Sequence, residues 1–209
     1  MNKISHLLLF TFLFSLFISS CSHDDDAPYP SIISEMADLY TNESGTLTKF
    51  VLDNNKEYRI SNPQSGYHAK ALYRVLCGYV PTDNSARVFQ LTSAYILRDS
   101  VERRKQDPTS VLSVWRTERY INMHLASKTF GGRQHWGFIT DSIVSHTDAE
   151  GKTSSHAYLS LHHNQNNDPT SYTEDVYASL PLDSIKGVDK QAPITLSIQT
   201  FDGKKTFEL

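Results

Sequence analysis

Nine short runs rich in β-branched and aromatic residues, at positions 46–52, 57–60, 72–80, 88–97, 111–125, 136–144, 157–162, 176–182 and 194–201, are separated by turn residues with few helix signals between them. Side chains branched at Cβ lose rotamer freedom in a helix but pack well on a pleated surface, so this pattern predicts an all-β protein. Asp53-Asn54-Asn55-Lys56, Asp148-Ala149-Glu150-Gly151-Lys152 and Asp202-Gly203-Lys204 are hairpin signals, because Asn, Asp and Gly tolerate the positive φ of tight turns. A seam at 99–109 is charged, lacks alternation and contains Pro108, which cannot donate to a ladder. It is expected to link two domains, 31–98 and 110–209. The first, with roughly five strand candidates, suits a small OB-like barrel, and the second an antiparallel β-sandwich.

The chain begins with a targeting segment. Lys3 precedes Leu7, Leu8, Leu9, Phe10, Phe12, Leu13, Phe14, Leu16, Phe17 and Ile18, an apolar run too short for a spanning helix and ordered like a signal peptide over 1–20. It ends in Ser19-Ser20-Cys21, which resembles the lipobox of bacterial lipoproteins and implies acylation of Cys21 as the mature N-terminus. Several acyl chains anchor a protein stably where one binds only marginally. The following Ser22-His23-Asp24-Asp25-Asp26 resembles the surface-export signal of Bacteroides-type lipoproteins, within a tether spanning 21–30 that Pro28 and Pro30 stiffen. The expected address is the outer membrane, lipid-anchored, at the cell surface. About 189 residues remain to fold, and Cys77 is their only other cysteine, so no internal disulfide forms and stability must come from packing. Cys77 lies in a strand-like run and is expected to be a buried apolar residue.

Composition excludes a nucleic-acid partner. There are 20 Lys and Arg against 23 Asp and Glu, and loss of Lys3 with the leader takes the net charge from −3 to −4, with no basic stripe. Eleven Tyr and ten Phe are more than a disordered chain carries, so a packed core is expected.

The second block carries Val114-Trp115-Arg116-Thr117-Glu118-Arg119-Tyr120-Ile121-Asn122-Met123, then Gly131-Gly132-Arg133-Gln134-His135-Trp136-Gly137-Phe138-Ile139, then Leu159-Ser160-Leu161-His162-His163-Asn164. These segments resemble the NigD-like lipoproteins, a family named after a bacteriocin-associated gene cluster. In the first block Lys56-Glu57-Tyr58-Arg59-Ile60 and residues 90–97 fit the same pattern. The resemblance implies a lipoprotein leader, an OB-like N-terminal domain and a C-terminal β-sandwich; it brings no catalytic residue set.

No motif points to catalysis. The chain lacks a Gly-x-Ser-x-Gly elbow and a Ser-x-x-Lys motif, and the adjacent Glu174 and Asp175 point to opposite faces of a strand, so they make poor glycosidase partners. Six of the eight mature histidines fall between His124 and His163. His156, Tyr158, Ser160 and His162 share one strand face, but six residues of strand separate the two histidines by about 20 Å, too far for one ion. His124 and His135 meet only if 128–133 is a hairpin. Neither paired cysteines nor His-Glu-x-x-His fixes a zinc geometry, so no metal and no cofactor is expected. The polar loop 164–172 fails the calcium-loop template, having Pro169 and Asp175 where glycine and glutamate belong. Gly131-Gly132 is read as a hairpin turn, and Trp115, Tyr120 and Trp136, with Phe138, as core aromatics, the alternative being an exposed binding platform. A glycan is gripped by aromatic faces beside planar amides, which makes Trp136, Asn164 and Tyr172 the candidate ligand-binding residues if the fold unites them.

These readings converge on a non-catalytic, lipid-anchored outer-membrane surface protein that binds a protein or oligosaccharide. The alternative is a periplasm-facing structural accessory of an outer-membrane assembly.

Overall fold

The computed structural model describes residues 31–100, 105–147, 149–151 and 153–209; the expected leader, Cys21 and the Ser22 to Asp26 cluster lie outside the described residues. Twelve strands are described: β1 (Ile33–Thr41), β2 (Leu47–Leu52), β3 (Glu57–Ile60), β4 (Leu72–Thr82), β5 (Ser85–Ile96), β6 (Ser110–Arg116), β7 (Tyr120–Thr129), β8 (His135–Thr147), β9 (Thr153–Asn164), β10 (Tyr172–Pro181), β11 (Ile194–Thr200) and β12 (Gly203–Glu208). The chain is all-β, as its composition predicts. All three hairpin signals join antiparallel neighbours, β2 to β3, β8 to β9 and β11 to β12, with Asn55, Gly151 and Gly203 at positive φ. The single run read at 111–125 is two strands: Thr117 N–H donates to the Tyr120 carbonyl at 2.8 Å, turning the chain around Glu118 and Arg119.

Strands β1 to β5 close into a barrel. β1 lies between β2 and β4, β2 pairs with β3, β4 with β5, and parallel contacts Arg59↔Ser85 and Ile60↔Ala86 seal β3 to β5. This is the five-stranded Greek-key arrangement of an OB-type barrel. Its interior is filled by Phe50, Tyr58 and Tyr79, whose ring centroids stand 5.0 to 5.5 Å apart, with Leu39, Leu47 and Cys77 around them. Burial pushes the Cys77 thiol up to about 12, so it stays protonated and acts as a small apolar side chain.

The second block is a sandwich. The end of β5, with β10, β7 and β6, forms one sheet, and β12, β11, β9 and β8 form the other. All ladders are antiparallel except β5 with β10 and β9 with β11. Alternation sends Ile121, Met123 and Leu125 of β7 and Ala157, Leu159 and Leu161 of β9 into the shared core with Phe138. Tyr120 is also buried, while Trp115 is partly exposed. The charged seam is bonded to this sandwich in its described parts: Ser100 N–H donates to Phe138 O at 2.8 Å, Asp107 N–H to His163 O at 2.9 Å and Thr109 N–H to Gln199 O at 3.1 Å.

Strand β5 belongs to both units. Its first half seals the barrel against β3 and β4, and its last residues, Ala94 to Ile96, pair with Tyr177 to Ser179 of β10. Beside it lies a buried ionic cluster. Asp38 of β1 and Arg74 of β4 are cross-strand partners on the barrel's outer face, yet both side chains are fully buried because the sandwich covers them. Arg74 pairs with Asp38 at 3.1 Å and with Asp53 at 2.7 Å, and it donates to Asn122 of β7 at 2.9 Å and to Ser179 of β10 at 2.9 Å. Asp38 also accepts from the Arg119 guanidinium and from the Tyr120 hydroxyl, at 3.1 Å for the latter. The Tyr120 ring lies 3.9 Å from the Arg74 guanidinium carbon, and burial next to Asp38 pushes its phenol up to about 12.

Removing one partner from such a cluster leaves uncompensated charge in a dry interior. Arg74→Ala is therefore expected to cost about 3–5 kcal/mol in urea unfolding. Arg74→Lys should recover only part of that, since a point ammonium cannot reach Asp38, Asp53, Asn122 and Ser179 together.

Candidate ligand-binding cleft

Where β5 leaves β10 to enter the barrel, the two strands fork. The fork opens into a cavity of about 400 Å³ walled by Tyr95, Trp136 and Tyr177, with Gln134, Glu174 and Asp175 among its polar groups. Glu174 and Asp175 face opposite sides of β10 yet both line this space, so the cavity reaches the strand's edge and is not confined to one face.

The connection from β7 to β8 forms one wall. Because β7 and β8 lie in different sheets, 128–133 is a crossover and not the hairpin expected from Gly131-Gly132, and His124 and His135 are not brought together as cross-strand partners. The sequence signal for a tight turn was real, as Gly131 has φ +91°, but the apolar faces of β7 and β8 each need the other sheet and so separate them. Asp168, from the 164–172 loop, organises this crossover. Its carboxylate accepts from the Thr129 hydroxyl, from the N–H groups of Phe130 and Gly132, both at 3.1 Å, and from the Gln134 amide at 3.1 Å. A Cβ on Gly132 would stand 2.5 Å from Asp168 Oδ1, so only glycine lets the loop close on the carboxylate. The Thr129 hydroxyl, then the Gln134 amide and the two backbone donors, hold the Asp168 carboxyl below its ordinary pKa against the opposing effect of burial.

Gln134 passes this order on to the aromatic wall. Its Oε1 accepts from Ser127 at 2.9 Å and lies 3.0 Å from Nε2 of His163, whose Nδ1 is 2.9 Å from the Asp107 carbonyl. The His163 ring stacks on Trp136 at 3.8 Å and 9°, and Tyr95 leans toward Trp136 from β5 with centroids 6.2 Å apart. Burial holds the His163 pKa below its ordinary value. On the other side Tyr177 stacks on His124 at 4.4 Å, and His124 Nε2 lies 3.5 Å from Asp175. The aromatic walls are thus fixed from behind, leaving their outer surfaces free to meet a ligand.

Of the three residues singled out from sequence, Trp136 lines the cleft and the other two do not. Asn164 is buried, and its carbonyl caps the N–H of Asn166 at 2.9 Å within its own loop. Tyr172 is half exposed at the start of β10. Tyr95, Gln134, Asp168 and Tyr177 escaped the sequence reading because the β5 to β10 pairing and the Asp168 contacts join distant segments.

Nothing at the cleft resembles a catalytic arrangement. The Ser127 hydroxyl is committed to Gln134 and both nitrogens of His163 face oxygens. Elsewhere His156 contacts Thr195 at 2.7 Å, but the Thr195 hydroxyl donates to Glu208 at 2.8 Å, which puts the hydroxyl between acid and imidazole, the wrong order for a nucleophile activated by a base. His156 stacks on Tyr158 of the same strand face, while His162 is buried further along β9. Among the described residues no three His, Cys, Asp or Glu side chains cluster to hold a metal, and no helix is long and apolar enough to cross a membrane.

Residues 93–209 match the model of the NigD-like C-terminal beta sandwich domain, and this match begins where β5 enters the sandwich sheet. The chain belongs to the NigD-like family. Its fold is similar to the crystal structure of a NigD-like immunity protein from Bacteroides caccae, 24% identical with a TM-score of 0.61 over 87% of this chain and 93% of that one. It is also similar to a protein of unknown function from Bacteroides vulgatus, 14% identical with a TM-score of 0.64 over 86% and 90% of the two chains. A candidate lipoprotein from Bacteroides fragilis is 12% identical, with a TM-score of 0.56 over 86% and 97%. None of the three is described as an enzyme. No curated protein matches the chain.

The depressed Asp168 pKa sets a pH dependence. The ionised carboxylate stabilises the fold fully above its unfolded pKa of about 3.9, and this contribution is lost as pH falls through the lower folded value. The stability gap between wild type and Asp168→Asn in urea unfolding should therefore be widest near neutral pH and shrink as the pH is taken below about 4.

Proposed function

We propose that this NigD-like protein is a non-catalytic, lipid-anchored outer-membrane protein displayed at the cell surface, which holds a protein or oligosaccharide ligand in the cleft between β5 and β10. The observation that carries this reading is the open cavity of about 400 Å³ with Tyr95, Trp136 and Tyr177 on its walls. Its size is that of a binding site, and rigid aromatic side chains give large contact area at low entropic cost. The address rests on the leader that ends at Cys21 and on Ser22, His23, Asp24, Asp25 and Asp26 behind it. A structural relative described as a NigD-like immunity protein fits a binding role better than a catalytic one.

The test replaces Tyr95 with a benzophenone amino acid in living cells and uses the same replacement at Phe201, exposed on the β11 to β12 turn, as control. A discrete crosslinked species is expected from position 95 and not from 201. Protease added to intact cells should degrade it in wild type and spare it when Asp24, Asp25 and Asp26 are all changed to Ala. Crosslinking at both positions alike, or none at 95, contradicts binding at the cleft. Protection of the wild type until lysis contradicts surface display.

A further inference from the structure

We infer that the fork is a strand-addition site, which takes an extended, basic segment of a partner protein as an extra strand along the open edge of β10; this rests on the cleft being the binding site. β10 is paired with β7 along its full length, from Tyr172↔Thr129 to Pro181↔Tyr120. On its other side, among the described residues, only Tyr177, Ala178 and Ser179 have strand partners, in β5. The preceding residues, 172–176, therefore have one satisfied edge and one edge to which no described strand is paired.

Alternation identifies the groups that face the fork. Leu97 N–H donates to the Ser179 carbonyl at 2.8 Å, so Ser179 turns its backbone toward β5. Successive residues of a strand present their N–H and C=O to opposite edges, so Tyr177 does the same, and Asp175 and Thr173 turn theirs into the open fork. β5 cannot supply the missing ladder, because upstream of Ala94 it bends away to pair with β4 and to close the barrel on β3, with a register shift opposite Gly78 and Tyr79. An open edge of this kind is a template for another strand, and native proteins usually block such edges with charge, proline or a covering loop. Here Glu174 and Asp175 put negative charge on the edge, which repels a like-charged strand and admits one of opposite sign, and the cavity leaves room beside it.

Charge selects the occupant. Glu174 and Asp175 are exposed on the two faces of the edge, and among the described cleft-lining residues there is no Lys or Arg. Two basic groups of β7 stand close by without lining the cavity: Lys128 donates to the Thr173 hydroxyl at 2.7 Å, and His124 Nε2 lies 3.5 Å from Asp175. A strand laid along Thr173 and Asp175 points alternate side chains to the two faces. A Lys or Arg on one face meets Glu174 on the side of the Tyr95 and Trp136 rings, and one on the other face meets Asp175 on the side of the Tyr177 ring, where cation and ring quadrupole attract. The chain's own tether, with Asp24, Asp25 and Asp26, has the wrong sign for this edge. Main-chain bonds supply affinity and the alternate side chains supply selectivity, as in other strand-addition complexes.

The full chain, purified in detergent, is probed with an array of nine-residue peptides in which Lys or Arg alternates with each aliphatic residue. Glu-for-Lys versions and N-methylated versions that cannot donate ladder bonds serve as controls. The basic peptides should bind and slow hydrogen exchange at the Thr173 and Asp175 amides. Binding should weaken at least about tenfold on N-methylation and in the Glu174→Gln, Asp175→Asn double variant, the scale of one lost charge-assisted hydrogen bond. Thr173→Pro, which removes a fork-facing N–H and loses the Lys128 contact but keeps the backbone ladder to β7, should abolish the protection at Asp175. Absence of binding by every basic peptide, or binding indifferent to N-methylation with both amides unprotected, overturns the inference. If the benzophenone at position 95 still captures a partner in that case, the cleft binds in another way and only strand addition fails; if it captures none, the binding reading fails with it.

Discussion

The guanidinium of Arg74 is the point on which the two β units depend. The barrel and the sandwich each have a hydrophobic core of their own, and neither contains a disulfide among the described residues. Their contact is polar where a designed interface would be apolar. Asp38, Asp53 and Arg74 come from the barrel, and Arg119, Tyr120, Asn122 and Ser179 from the sandwich. Charges this deep are tolerated only when each is matched by partners in fixed directions, so the cluster sets the orientation of the units more sharply than a greasy patch would. Asn122 illustrates this: it accepts from Arg74 and from its sandwich neighbour Ser179 while donating to Asp53 at 2.6 Å, and a rotation of either unit would break the two contacts that cross to the barrel, those with Arg74 and Asp53.

That orientation creates the cleft. β5 must leave β10 in order to close the barrel, and the angle at which it leaves is held by the Arg74 cluster beside the point of departure, since Ser179 bonds both to Leu97 through its carbonyl and to Arg74 through its hydroxyl. The open edge of β10 is thus a by-product of sharing one strand between two folds. Asp168, Gln134 and His163 then hold the facing wall in place from behind, so a ligand meets a surface already ordered.

Much of the architecture is legible in the amino-acid pattern, and the failures have physical causes. β3 and β11 alternate cleanly, and the turns that join β2 to β3 and β11 to β12 carry Asn55 and Gly203 where positive φ is needed. β1 is not recognisable because Glu35 and Asp38 break its apolar rhythm, and Asp38 is buried only through partners at 74, 119 and 120. The division of 111–125 into two strands hangs on one Thr117 turn inside a stretch of uniformly strand-like composition. At the cleft, Trp136 is conspicuous as a lone tryptophan beside glycines, whereas Tyr95 and Tyr177 become neighbours only through a parallel pairing that no local signal announces. Asn164 looked like a ligand-facing amide and serves its own loop instead.

Native-state hydrogen exchange across a urea series tests most directly whether the ionic cluster makes barrel and sandwich one cooperative body. Core amides of β4 and β7 are followed together in wild type and in Arg74→Met, whose apolar side chain keeps the volume and removes the charge. The account predicts that in wild type both strands open with one free energy and one urea dependence, and that in the variant the β4 amides open at lower free energy than those of β7. Separate openings in the wild type, or a common opening that persists unchanged in the variant, would contradict it.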